Sequence, residues 1–569
     1  MKNIWIPVLA AGAMLVSSCD DFLNAYSQDQ IVAKEVKDLD EVILGSGYFQ
    51  SSIVSNGPML TRPMGFLNVL DDDVNTGRDL EIEGQGKSDF VAKAWQESVM
   101  NLYGCFGWQL EVGTNYNATI IYDDAATWNK LYEHINVINV ILDQIQDLPH
   151  DTEQKEADYY RVQGEAHFLR AQYYFTLANL YGDMYTAENA AKRPCVPIKL
   201  TPNVEFEFER ASVADVYDQV LKDLTIAEAY LYRSPQNEQH LLHRASQEAV
   251  DLLLSRVYLY MQNWEMAEAK ADSVMKSENF YLASLGSFAE GQPYLTDENP
   301  DVIFSMGSNN LNPLMIFTAR PGDFCVSREL YDLYDSLDVR RNCFFDTYYD
   351  GELASVSCDS IMLNAKYERS NTLRSHISDF YTLRMSEAWL NKMEALAMQG
   401  KEGEANSLLN QFRTERIEGY TAQTYTGEEL VNQIRDERRR ELCFEGQRWF
   451  DLRRYQVNEK YPLNKTIVHV YNVVGDNQGY MYSRTLLLPP GDPAYTFPIP
   501  KSVIDFFTNG QMSTNPCEDR KSLEELAEEE GENTTGGDNT TGGDATGDDN
   551  TAGGDANGGD NTTGGDTAE

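Results

Sequence analysis

Along much of this chain apolar side chains return every three to four residues, and long stretches with that period are separated by stretches without it. Trp128, Leu131, Tyr132, Ile135, Ile138, Leu142 and Ile145 fall on one helical face, with Thr127 as the candidate N-cap. Val213, Val216, Tyr217, Val220, Leu221, Leu224 and Leu231 do the same behind Ser212. A helix with one apolar stripe needs a neighbour to cover it, so helices of this kind pack side by side.

Two segments also carry small residues where paired helices touch. Leu254, Ser255, Tyr258, Trp264, Ala267 and Ala271 do so around a turn at Asn263, and Ser386 to Arg413 repeats the arrangement with its turn at Gly400. Both approximate the tetratricopeptide spacing, and the stretches 128–148 and 153–181 supply a third pair. The expected fold class is therefore mainly α, a tetratricopeptide-like helical repeat scaffold. Residues 45–125, 284–380 and 456–500 lack the helical period, hold Gly, Pro, Asn and aromatic clusters, and are too long to be mere connections. They are expected to form an irregular, loop-rich lobe that carries the ligand site.

The two ends differ from this body. Lys2 and the apolar run Ile4 to Val16 read as an export signal, too short to span a bilayer, which needs roughly 20 apolar residues. Leu15-Val16-Ser17-Ser18-Cys19 resembles the bacterial lipobox, which makes Cys19 the expected lipid-attachment residue and new N-terminus. Acyl chains on one residue hold a soluble domain on a membrane, because each buried methylene contributes about 0.8 kcal/mol. Residues 1–18 are then a signal peptide, 19–35 a tether, 36–517 the body and 518–569 a tail. After a short acidic helix from Leu523 to Glu530, the tail repeats Asn-Thr-Thr-Gly-Gly-Asp and variants, with no apolar residues to build a core.

A formal net charge of −44 disfavours a nucleic-acid partner, which would need basic patches. The 33 tyrosines outnumber the 23 phenylalanines, which suits amphipathic grooves as well as packing. Besides Cys19 there are seven cysteines and no Cys-x-x-Cys pair, which argues against a metal ribbon. Cys343 and Cys358 flank one loop, and either a bridge or free thiols fits them. Neither a Gly-x-Ser-x-Gly elbow nor a His-Glu-x-x-His helix is present. Gly84-Gln85-Gly86-Lys87-Ser88 misses a phosphate loop because Glu81 stands at its first glycine, and His240-x-x-His243 reads as a solvated pair. No catalytic residue, cofactor or metal set is assigned, and the chain is not expected to be an enzyme. A glycoside hydrolase needs only two carboxylates, so it stays as an alternative beside a tetratricopeptide interaction scaffold.

The densest motif runs from Glu437 to Arg454, Glu-Arg-Arg-Arg-Glu-Leu-Cys-Phe-Glu-Gly-Gln-Arg-Trp-Phe-Asp-Leu-Arg-Arg. Acids and bases recur at helical spacing, Gly446 interrupts them, and Trp449, Phe450 and Leu452 interleave, which favours a buried salt-bridge network locking two helices together. The block resembles the C-terminal signature of the SusD/RagB family of outer-membrane nutrient-uptake lipoproteins. In order along the chain, Trp128-Asn129-x-x-Tyr132 with Asn139, Glu165-Ala166-x-Phe168-Leu169-Arg170-Ala171 with Tyr181-Gly182-Asp183, Asn299-Pro300-Asp301, Asp338-x-Arg340 and Phe497-Pro498-Ile499-Pro500 agree with that family. The resemblance covers roughly residues 19–517. It implies four tetratricopeptide-like helix pairs, a cell-surface position supported by Asp20 and Asp21, and a SusC-like TonB-dependent transporter as partner in the outer membrane. Its signature residues, Arg438, Glu441, Arg448 and Asp451 among them, read as scaffold.

Sugar rings pack their C–H faces on aromatic side chains and present hydroxyls to planar polar groups. The stretch 71–122 interleaves both kinds, and Asp73, Arg78, Trp95, Trp108, Asn115, Tyr116 and Tyr122 are its ligand candidates. Phe317 and Arg320 join them from a second cluster that includes Tyr294, Asn309, Asn310 and Asn312. For Asp71 to Asp73 a helix cap or a calcium site is the alternative. The expected ligand is an oligosaccharide, with a peptide as runner-up.

Overall fold

The computed structural model describes residues 33–50, 64–75, 81–82, 86–87, 101–121, 124–202, 209–234, 241–289, 292–309, 311, 324–347, 361–363, 366–367, 377–474, 480–507 and 512–535. Helices dominate: α1 (Val36–Val42), α2 (Ala126–Gln144), α3 (Glu153–Tyr181), α4 (Val213–Arg233), α5 (Gln247–Tyr260), α6 (Trp264–Met275), α7 (Met385–Met398), α8 (Glu402–Thr414), α9 (Gly427–Leu442), α10 (Arg448–Gln456) and α11 (Leu523–Thr535). From α2 to α8 each helix packs beside the next, and α9 lies on α7. This succession is the mainly α repeat scaffold that the periodicity predicts.

Local chemistry sets the helix ends. Ser212 caps α4 by accepting from the Asp215 N–H while the Asp215 side chain reaches back to the Ser212 N–H, a reciprocal capping box. Asn263 caps α6 through the Met266 N–H. Thr127 does not cap α2: the helix begins at Ala126, and the Thr127 hydroxyl instead accepts from the Met64 N–H. The small residues act as expected, with Ala267 and Ala271 buried and Ser255 Oγ donating 2.9 Å to the Ala267 carbonyl across the α5–α6 crossing. Helix α3 is enclosed along its second half, from Val162 to Tyr181, so it lacks a one-sided stripe there. Gly164 lets α4 approach: a Cβ at that position would lie 2.6 Å from Leu231 Cγ.

The strands are few and short. β1 (Val74–Asn75), β3 (Cys325–Val326), β5 (Ile361–Leu363) and β4 (Phe345–Thr347) form one antiparallel sheet in the order β1-β3-β5-β4. β2 (Val302–Ser305) pairs with β6 (Thr382–Arg384). β7 (Ile467–Val474) and β8 (Tyr480–Leu488) make an antiparallel ladder inside the stretch 456–500 that lacks helical period.

The Glu437–Arg454 block is a buried ion-pair network, as its interleaved apolar residues suggest. Glu441 accepts from Arg340 at 2.9 Å, Arg384 at 3.1 Å and Arg416 at 2.8 and 3.2 Å. Glu437 takes Arg340, Arg413 and Arg440 at 2.7, 2.7 and 2.6 Å. Arg438 reaches Asp451 on α10 at 2.8 Å, and Arg454 pairs with Glu394 on α7 at 2.6 and 2.8 Å. Guanidinium suits this role, since it is weakly hydrated and its fork satisfies two carboxylate oxygens at once. Gly446, at φ +68°, turns the chain between α9 and α10 where a Cβ would lie 3.0 Å from Phe380 Cα. The other family-like landmarks are equally structural. Arg170 joins Asp223 on α4 at 2.7 and 2.9 Å to Asn139 on α2 at 2.9 Å, and Tyr132 donates to the Pro197 carbonyl.

The packed body continues past Cys517. Arg520 donates to the Leu487 carbonyl and pairs with Asp492, and Ser522 is fully buried. Glu524–Glu569 form a unit of their own. Cys343 is a buried free thiol 3.8 Å from the Ala289 carbonyl, and Cys358 lies outside the described residues, as does Cys19.

Candidate ligand-binding platform

The ladder β7–β8 brings tyrosines from distant parts of the sequence together. Tyr471 on β7 stands opposite Arg484 on β8, and Tyr482 follows on the same strand at period two. Against them lies the loop 113–121, closed by Ile121 N–H donating to the Gly113 carbonyl. Asn115 shapes that loop: its Oδ1 accepts the N–H groups of Asn117 and Thr119, both at 3.0 Å, an Asx turn. The turn presents the next residue, Tyr116, whose ring stacks on Tyr471 at 4.8 Å and meets the Tyr103 ring edge-on at 5.1 Å. Its hydroxyl is 3.3 Å from that of Tyr482.

Exposure differs along the cluster. Tyr471 is buried, Tyr103 and Tyr116 are half-buried, and Tyr482 is 38% exposed. The Arg484 guanidinium lies 4.9 Å from the Tyr482 ring centroid, a cation–π contact that fixes both groups. Burial, and then the hydrogen bond to Tyr482, push the Tyr116 phenol up to about 12, so it stays a neutral donor. The result is an aromatic face with hydroxyls and a guanidinium at its rim, the chemistry that suits a sugar ring.

Two residues before Tyr471 on the same strand face, His469 anchors β7. Its Nδ1 and Nε2 lie 2.8 Å from the carbonyl oxygens of Phe106 and Asp71, and its ring is sandwiched between Phe106 at 4.1 Å and Trp108 at 4.3 Å. Burial pushes this imidazole down to about 4.

Several sequence-chosen residues therefore have structural occupations. Trp108 is buried, donates its Nε1–H to the Leu70 carbonyl at 2.9 Å and presents its ring to His469. Asp73 is buried with Oδ1 on Arg439 at 2.7 Å, and Asn115 spends its carbonyl on its own turn. Among the described ligand candidates, Tyr116 alone reaches the platform with its ring. Arg78, Trp95, Tyr122, Phe317 and Arg320 lie outside the described residues. In the second cluster Tyr294 is buried and donates to Asp301, and His243 bonds the Ser305 carbonyl instead of standing free in water. Tyr471, Tyr482 and Arg484 are additions from the structure. Their signal is the pair Tyr482-x-Arg484, which the strand period places on one face of β8.

The Asp71, Asp72 and Asp73 carboxylates converge closely enough to hold a cation. Cationic side chains already occupy that place: Asp72 pairs with Arg448 at 2.7 and 2.8 Å, with Arg439 at 3.2 Å and with Lys465. Burial would raise Asp72, yet Arg439, Arg448 and Lys465 outweigh it and hold the carboxyl well below its usual range. Burial, then Asp73 and Asp72, push Asp71 well above it, which favours a protonated acid over a metal ligand.

Two family models match the chain. One, described as "Starch-binding associating with outer membrane", matches residues 85–259, and the other, described as "SusD family", matches residues 358–517. SusD-like protein P38 of Formosa agariphila is 24% identical over 383 residues, covering 57% of this chain and 71% of that protein. SusD-like protein P2 of the same organism is 24% identical over 389 residues, with coverages of 60% and 73%. Among solved structures, a SusD superfamily protein from Bacteroides thetaiotaomicron superposes with a TM-score of 0.62 at 20% identity, covering 85% of this chain and 100% of its own. A SusD-like carbohydrate binding protein from Bacteroides vulgatus gives a TM-score of 0.60 at 22% identity, with coverages of 83% and 96%.

Proposed function

This chain belongs to the SusD/RagB family, and from that premise we propose that it is a cell-surface nutrient-binding lipoprotein that captures an oligosaccharide. The observation that carries the reading is the platform of Tyr116, Tyr471 and Tyr482 with Arg484 beside it. Sugar C–H faces settle on the exposed Tyr482 ring, and Arg484 with the two phenols bonds the hydroxyls. Arg78, Trp95, Tyr122, Phe317 and Arg320 complete the proposed contact set. The name of the Bacteroides vulgatus neighbour, a carbohydrate binding protein, points the same way.

Lipid on Cys19 anchors the chain to the outer membrane, and the tether that precedes buried Ala33 leaves the body free to swing. The bound glycan passes to a SusC-like TonB-dependent transporter, with capture and delivery but no bond cleavage.

Calorimetry against a panel of neutral oligosaccharides and short peptides tests this, with wild type beside Tyr482→Ala and Arg484→Ala. At least one glycan should bind saturably with no product by chromatography, and each substitution should weaken it by about 2- to 12-fold, the equivalent of one aromatic contact of roughly 0.5–1.5 kcal/mol. Binding of peptides alone, or variants that bind as wild type does, would sink the reading.

A further inference from the structure

A second run of aromatic rings lies on elements that the first platform does not use. His150 stacks on Tyr159 at 4.2 Å, Tyr159 meets Tyr160 at 5.7 Å, Tyr160 runs nearly parallel to Tyr230 at 5.7 Å, and Tyr230 to His167 at 6.3 Å. The five rings come from the turn before α3, from α3 and from α4. His150 is exposed and the other four are half-buried.

Tyr159 packs against the core with part of its ring, whereas Tyr160 and Tyr230 lie outside the core. Tyr159 and Tyr160 precede Val162, where the enclosed part of α3 begins, and their neighbours in the first turns are Glu153, Gln154, Lys155, Glu156 and Asp158. A charged residue would suit such positions, so a contiguous aromatic strip there calls for a contact. The Tyr160 and Tyr230 rings, 26° from parallel with centroids 5.7 Å apart, overlap only in part, and each keeps part of its surface in solvent.

The rim is polar and planar. Tyr160 donates to Glu156 at 3.2 Å, the Arg233 guanidinium lies 5.3 Å from the Tyr160 centroid, and Asp158 accepts from Gln154 at 3.3 Å and Arg161 at 3.0 Å. Buried Asp223, held by Arg170, fixes His167 at 2.7 Å, so that end of the strip is rigid. The carboxylates along the edge and the chain's net charge of −44 disfavour an anionic ligand. Partly exposed rings bordered by carboxylates, a guanidinium and phenols match a neutral polyhydroxylated chain.

We propose that the His150, Tyr159, Tyr160, Tyr230 and His167 strip is a second oligosaccharide-contact surface, separate from the Tyr116–Tyr482 platform. It rests on the glycan-binding reading above. Its role is to hold a long polysaccharide at a second point, so that retention depends on polymer length as two linked contacts require.

Affinity electrophoresis in native gels cast with soluble starch, inulin, arabinoxylan or galactomannan tests it, using wild type, Tyr482→Ala and Tyr160→Ala/Tyr230→Ala with thermal midpoints as a folding control. At least one polymer should retard wild type, and the strip variant should lose about threefold to tenfold of that retention. The same variant should leave calorimetric affinity for the matching short oligosaccharide unchanged. If it migrates as wild type does while Tyr482→Ala is released, the strip is not a glycan surface and the first platform stands alone. Release of the strip variant but not of Tyr482→Ala would support the strip and overturn the platform. Wild type that no gel retards overturns both. Should the double variant lose its thermal midpoint, Tyr160→Ala alone, at the solvent end of α3, repeats the test.

Discussion

Replacing Glu441 by glutamine changes almost no volume but removes a charge that three arginines share. The carboxylate is fully buried and accepts four hydrogen bonds at 2.8–3.2 Å from Arg340, Arg384 and Arg416. Glutamine keeps one acceptor oxygen and turns an NH2 group, itself a donor, toward guanidinium donors. Breaking a buried ion pair from one side costs about 3–5 kcal/mol, because the partner charge is left uncompensated. Arg340 keeps Asp338 and Glu437, and Arg384 keeps Asp301 and Glu445, whereas Arg416 loses its one carboxylate partner, so about 4 kcal/mol is expected. At a urea slope of roughly 3 kcal/mol/M or more, the unfolding midpoint falls by up to about 1.3 M. Arg416→Met in the same chain relieves one stranded cation and should restore part of the loss, a positive coupling in a double-mutant cycle. A midpoint shift equivalent to less than about 1 kcal/mol would refute the reasoning, since Glu441 would then be a spectator.

Acid should unfold the protein through the same groups. Burial raises Glu441, Glu437 and Asp72, but their arginine and lysine partners outweigh it and hold all three well below their ordinary values. Each therefore stabilises the fold fully above its unfolded pKa of about 4–4.5, and that stability is lost as pH falls toward the folded value. A urea midpoint that rises between pH 5 and pH 3 would contradict this. Asp71 has the opposite sign: its raised pKa makes the charged form a cost at neutral pH, so Asp71→Asn should raise the thermal midpoint at pH 7, and a fall would show that the charge is needed. His469→Ala removes the link from β7 to the Phe106 and Asp71 carbonyls and should weaken glycan binding while Tyr482 is still present, measured by calorimetry. Burial pushes the thiols of Cys195 and Cys343 up to about 12 and raises those of Cys105 and Cys443, so Ellman's reagent should reach these four only after denaturation.

Much of the scaffold is legible in the sequence because it is local. The stripes of α2 and α4, the caps at Ser212 and Asn263 and the small residues at helix crossings involve neighbours within a few turns. The charged block is legible as buried for a similar reason: Trp449, Phe450 and Leu452 share its helix. What it binds is not, since Asp72 and Asp73 meet Arg448 and Arg439 across 376 and 366 residues. The ladder β7–β8 is hidden because apolar residues stand on both faces, Ile467 buried and Val468 49% exposed, so alternation is blurred. Trp108 looks like a ligand aromatic beside glycine and glutamine, and only the arrival of His469 from the far hairpin shows that its face is taken. Tyr116 was readable because Asn115 and Asn117 mark a turn, and turns project the residue between them.

The inward arginines bear on the water around the protein as well. Within the described residues, buried guanidiniums are matched by buried carboxylates, so the interior is close to electrically neutral. The excess of acids behind the net charge of −44 must then sit in solvent, surrounded by a cloud of mobile counter-ions. A neutral glycan crosses that cloud without disturbing it, so its encounter rate should hardly change with ionic strength. An acidic surface approaching the same face meets repulsion that fades beyond about 8 Å at physiological salt, and its docking should quicken as salt is added.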